Sequence, residues 1–184
     1  MKNICLYAAS SAHVSMQYYE AAYRMGELLA RAGYGIINGA GKQGLMRAMS
    51  DGALDAGGTC IGVIPRFMLE QNLQYDRMTQ MIVTDTMHER KQWMADHSAA
   101  IIALPGGYGT LEELAEIITW RQLKLHDNPV FILNTNGFFT HLLQWFSQAV
   151  EEGFVAPVHA HLWQAADTPE QILTCLQKQL QEVK

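Results

Sequence analysis

Ala99-Ala100-Ile101-Ile102-Ala103-Leu104-Pro105-Gly106-Gly107-Tyr108-Gly109-Thr110-Leu111-Glu112-Glu113 is an apolar run, a glycine-rich turn and the start of a helical pattern. The run to Leu104 is apolar on both faces, as in a strand buried inside a parallel sheet. Leu111, Leu114, Ala115 and Ile118 then recur at helical spacing. A buried strand therefore ends in a turn, and a helix begins there. Glycines at 106, 107 and 109 allow a sharp bend and leave the backbone bare toward a ligand. The unpaired N–H groups of the new helix, with its dipole, favour an anion. The stretch reads as a phosphate cradle with two carboxylates one turn away.

The rest of the chain repeats this alternation. Short apolar runs at 4–9, 34–38, 59–64, 81–84, 99–104 and 130–134, with a weak one at 162–165, predict strands. Amphipathic stretches at 16–32, 44–56, 87–97, 111–125, 138–152 and 169–182 predict helices. Residues 65–75 lack periodicity and read as a loop or short helix near the site. The fold class is α/β, a Rossmann-like doubly wound parallel sheet with helices on both faces and ligands at the carboxyl ends of the strands. No linker or repeat divides the 184 residues, so one nucleotide-binding domain over residues 1–184 is expected.

Composition narrows the partners. A net charge of −5 argues against nucleic acid or an anionic membrane surface as the main partner. No run approaches transmembrane length. Cys5, Cys60 and Cys175 have no metal-type spacing, and two of them sit inside strand runs, which suggests a reducing, cytoplasmic setting. The histidines show no ligand pattern, and no metal site is expected.

Three further stretches border the expected crevice. Ser10 and Ser11 follow the first strand. Gly39-Ala40-Gly41-Lys42-Gln43-Gly44 spells G-x-G-x-x-G, but after the second strand and with no acidic residue ending the next one, so a dinucleotide reading is weak. Gly41 reads instead as a second close approach of backbone to ligand. Met87-His88-Glu89-Arg90-Lys91 opens a helix with two cations that oppose its dipole, an arrangement that gains only if an anion or carboxylate faces them. Glu113 also has an ordinary reading: Thr110-Leu111-Glu112-Glu113 is spelled like a capping box, as are Thr86–Glu89 and Thr168–Gln171.

The turn at 105–113 and Met87–Lys91, with Arg90 sixteen residues before Gly106, together resemble the LONELY GUY (LOG) family, which also carries the label of lysine decarboxylase. Gly44-Leu45-Met46, Gly62-Val63-Ile64-Pro65, Thr119-Trp120, Pro129-Val130 and Glu152-Gly153-Phe154 extend the likeness to about residue 155. The resemblance implies a nucleoside 5′-monophosphate phosphoribohydrolase. Such an enzyme hydrolyses the N-glycosidic bond of cytokinin ribotides or AMP to free base and ribose 5-phosphate, as a homodimer, without metal or organic cofactor. It further implies that Arg90 and Glu113 are the catalytic pair. Lys91, Gly107, Tyr108, Gly109, Thr110, Leu111, Glu112 and Thr119 would contact substrate, with Ser10, Ser11, Gly41, Met87 and Gly106 expected beside them. The rival expectation is a carrier without hydrolysis, for a nucleotide or the molybdenum cofactor. The decarboxylase label lacks chemistry: none of the six lysines has the setting of a pyridoxal Schiff base. The chain departs from the family pattern at Ala12, Ala40 and Arg47.

Overall fold

The computed structural model describes residues 1–182, a seven-stranded parallel sheet covered by helices on both faces. In chain order the elements are β1 (Asn3–Tyr7), α1 (Met16–Arg31), β2 (Gly35–Asn38), α2 (Gly44–Asp55), β3 (Cys60–Pro65), α3 (Arg66–Glu70) and β4 (Gln80–Thr84). There follow α4 (Met87–Asp96), β5 (Ala100–Ala103), α5 (Tyr108–Gln122), β6 (Val130–Leu133), α6 (Thr140–Glu151), β7 (Gln164–Ala166) and α7 (Pro169–Glu182). The expected elements are all present. The unassigned segment 65–75 contains the short α3, and α5 begins at Tyr108, three residues before its expected start.

Strand order is β4-β3-β2-β1-β5-β6-β7. The chain winds outward from β1 to β4, returns across the sheet, and winds the other way from β5 to β7. Helices α1, α2 and α7 cover one face of the sheet, and α4, α5 and α6 cover the other. Because strand residues alternate in direction, Ile4, Leu6, Ile36, Ile102 and Phe131 pack against α1, α2 and α7. Cys5, Tyr7, Ile37, Val63 and Ile101 pack against α4 and α5 on the other face. Their strands are therefore apolar on both sides, which is the pattern the sequence displays.

Two glycines set the position of α2, whose first turn reaches the carboxyl edge of the sheet. A methyl group on Gly26 of α1 would lie 1.9 Å from the Met49 carbonyl oxygen, and one on Gly52 of α2 would lie 2.0 Å from the Tyr23 carbonyl oxygen. The two helices thus touch backbone to backbone. Gly26→Ala or Gly52→Ala gains about 0.5–1 kcal/mol of helix propensity, but overpacking costs about 1–3 kcal/mol and here meets rigid backbone. Urea denaturation should show either variant less stable than the parent.

Candidate functional site

The sheet reverses its winding between β1 and β5, and the crevice opens where their carboxyl ends diverge. It is a cavity of about 310 Å³ lined from several elements. Tyr7, Ser10 and Ser11 come from the end of β1 and its loop, Gly39 from the β2–α2 turn, Met46 from the first turn of α2, and Met68 from α3. Met87 and Arg90 come from α4, and Gly107, Tyr108, Gly109, Thr110 and Glu113 from the start of α5.

Gly107 is the N-cap of α5, in extended conformation, and no side chain caps this helix. The amides of its first turn have no partner inside the helix and face the crevice. Leu111 is the first to close the intrahelical ladder, donating to the Gly107 carbonyl at 3.0 Å. A methyl group on Gly107 or Gly109 would meet nothing within 4 Å, so packing does not require glycine there. The openness serves the crevice. Gly106 differs: a methyl group on it would fall 2.0 Å from Thr110 Oγ1, so it is a packing glycine.

The earlier start of α5 corrects the capping reading. Thr110 lies inside the first turn and is buried, and it does not cap Glu113. The boxes at Thr86–Glu89 and Thr168–Gln171 form as spelled. Glu113 is thereby free for another partner. Its Oε1 accepts a hydrogen bond from Arg90 Nη1 at 2.9 Å, with both side chains nearly buried, 6% exposed for Arg90 and 12% for Glu113. Arg90 Nε donates to the Val63 carbonyl at 3.0 Å, just beyond the last β2–β3 pair at Gly62. Burial pushes the Glu113 carboxyl above its ordinary value, and the Arg90 guanidinium opposes that without cancelling it. Behind the pair, burial also raises the thiol of Cys5 to about 12 and the phenol of Tyr7 well above its usual value, so both stay neutral.

Several expected contacts do not reach the cavity. Lys91 turns between α4 and α5, where its Nζ meets Glu112 Oε1 at 2.5 Å and Glu116 Oε2 at 2.9 Å. Burial works against its charge, but the two carboxylates hold its pKa above the ordinary value. Lys91 and Glu112 therefore clamp the two helices beside the crevice. At Gly41 the space of the missing methyl group is taken by Met46 Cε, 2.8 Å away, and Gly41 does not line the cavity. Leu111 points outward, and Thr119, three turns along α5, donates to the Ala115 carbonyl and faces an apolar groove against α6. Of the departures, Ala40 takes φ 59°, a left-handed conformation that costs a non-glycine residue about 1–2 kcal/mol. Arg47 pairs with Asp51 at 3.3 Å and lies over the Tyr75 ring, outside the cavity. The residues that sequence reading missed are Tyr7, Gly39, Met46, Met68 and the Val63 carbonyl. A glycine directly after a central strand was the one available signal, for Gly39.

The fold defines an α/β protein of the Rossmann-like class, with a crevice at the carboxyl ends of β1 and β5. A family described as "Possible lysine decarboxylase" matches residues 46–176. Cytokinin riboside 5′-monophosphate phosphoribohydrolase LOG1 of Arabidopsis thaliana is 40% identical over 176 residues, 96% of this chain and 83% of that protein. The probable cytokinin riboside 5′-monophosphate phosphoribohydrolase LOG6 of the same plant is 39% identical over 183 residues, 100% of this chain and 91% of that protein. The chain belongs to the LONELY GUY family of phosphoribohydrolases. Among solved structures, the molybdenum cofactor carrier protein of Chlamydomonas reinhardtii superposes with a TM-score of 0.76 at 23% identity, over 97% of this chain and 98% of that one. That likeness shows the shared fold alone.

The raised Glu113 pKa has a consequence for stability. Between the ordinary glutamate value, about 4.3, and the higher native value, the folded state binds more protons than the unfolded one. The contribution of Glu113 to stability therefore falls as pH rises through that window. Glu113→Gln keeps an acceptor for Arg90 and removes the titration. Urea denaturation from pH 4 to 7 should show the parent losing stability relative to the glutamine variant as pH rises.

Proposed function

We propose that this protein is a nucleoside 5′-monophosphate phosphoribohydrolase, acting on cytokinin ribotides, AMP or both. One observation carries the reading: a nearly buried carboxylate, fixed by a guanidinium, stands one turn beyond the open N-terminus of α5. The amides of residues 107–110 and the Thr110 hydroxyl would hold the 5′-phosphate. The ribose then lies against Glu113, and the base extends toward Met46, Met68 and Met87, soft side chains that tolerate different ring substituents. The names of the relatives agree with this substrate class.

Cleavage breaks the C1′–N bond. Its electron pair leaves with the base, which takes up a proton, and positive charge builds on the ribose ring. Glu113 stabilises that charge, accepts a proton from the water whose oxygen bonds to C1′ and then releases it to solvent, from which the departing base takes its proton. Within that pair Arg90 takes a positioning role, because Nε and Nη1 are engaged by the Val63 carbonyl and Glu113. Lysine decarboxylation fits poorly, since Lys91 is held as an ammonium ion between two carboxylates.

The same reading includes a homodimer in the cytoplasm. Its cysteines are free, and no helix among the described residues is long and apolar enough to cross a membrane. Trp145 is 60% exposed beside the apolar groove that holds Thr119, and Phe154 is 87% exposed. A second copy would cover this face.

Purified protein mixed with AMP, other monophosphates and N6-isopentenyladenosine monophosphate should release free base, read by chromatography. Glu113→Gln should lower that release by more than about 100-fold with the fold intact. A carrier would bind these nucleotides and release no base. Sedimentation should show a dimer, and Trp145→Glu should shift it toward monomer.

A further inference from the structure

We infer that Gly39 is a positioning residue: the space left by its absent side chain is where the Arg90 guanidinium sits, and that space aims Arg90 at Glu113. A methyl group built on Gly39 would fall 2.0 Å from Arg90 Nη2 and 3.2 Å from Arg90 Cζ. The other nitrogens of the group are tethered, Nε to the Val63 carbonyl and Nη1 to Glu113. Arg90 is 5% exposed, and the open space it borders is the crevice that it lines. Gly39 is not in the left-handed region, so alanine fits its backbone without strain. The atom in the way belongs to the far end of a long side chain. Alanine would therefore move the guanidinium before it disturbed the sheet. The inference rests on the proposed pairing of Arg90 with Glu113 as the reacting arrangement.

The expected signature is electrostatic. Glu113 is faced by Arg90 and Lys91 from α4, Glu112 from its own helix, and Tyr7 and Cys5 from β1. Gly39→Ala leaves all of these in place except the Arg90 guanidinium. With that charge drawn away, the Glu113 proton should bind more tightly, by about one pH unit. Gly39→Ala should lower kcat for base release by at least about tenfold with little change in KM, and raise the acid limb of the pH–rate profile. In an Arg90→Ala background the same substitution should have little further effect. Equal loss in both backgrounds, or an unmoved acid limb, overturns the inference. The titration of the ¹³C-labelled Glu113 carboxyl supplies a readout that needs no turnover. If the parent releases no base, the proposed reaction fails. An upward-shifted titration in Gly39→Ala still upholds the role of Gly39, and an unchanged one removes it. The melting temperature of each variant confirms that the fold is retained.

Discussion

The site depends on one topological constraint, the reversal of winding between β1 and β5. Neighbouring strands that lead into helices on opposite faces cannot close over their own ends, so a crevice remains there. The backbone of Ala9 holds its walls together. Its N–H donates to the Pro105 carbonyl at 3.1 Å, while its carbonyl accepts from Leu45 and Met46 at 2.9 and 3.2 Å. One residue thus joins the end of β1, the start of α2 and the turn that opens α5. The cradle and the first turn of α2, with Met46, share one backbone frame for this reason.

On that frame the chain places charge where it is expensive. Desolvating a carboxylate costs several kcal/mol, and one partner returns that only with good geometry and further hydrogen bonds. Arg90 supplies both, through Glu113 and the Val63 carbonyl. The net upward shift of Glu113 shows that burial still prevails. Lys91 shares the same helix turn but lies between Glu112, more than half exposed, and Glu116. That pair reaches water, so it ties α4 to α5 at less cost. Two adjacent cations near one helix start therefore do different work: Arg90 faces the crevice, and Lys91 keeps the two helices in register around it.

The alternation of apolar runs and amphipathic stretches made the fold legible, because a sheet buried on both faces has no polar side to confuse the pattern. The cradle was legible too, since glycine followed by a helix start has a local physical meaning. What the sequence left open came from distance along the chain. Thr110 and Glu113 are spelled as a capping box, and only the three-dimensional start of α5 at Tyr108 shows that Glu113 is released to Arg90. Lys91 was expected at the ligand because it matches a substrate-binding position of the family. A helix turns about 100° per residue, and that rotation sends Lys91 to the carboxylates of α5 instead. Met68 could not be placed at all, since α3 has too few residues to display a period.

Glycine itself shows why a motif is not yet a site. At 107 and 109 the missing side chain opens onto empty space, which leaves backbone amides accessible to an anion. At 106 it is filled by Thr110, at 41 by Met46 and at 39 by Arg90, so those positions order the protein's own side chains. Ala40 lies between the last two and keeps the left-handed backbone that glycine would adopt freely. Its N–H donates to Asn38 Oδ1 at 2.8 Å and its carbonyl accepts from Tyr75 at 2.8 Å. These two bonds impose the conformation. An alanine is tolerated at 40 because its methyl group is buried clear of the cavity, whereas at 39 the same methyl group would meet the guanidinium. Within one turn, then, the side chain that each position can carry is decided by what already occupies the space in front of it.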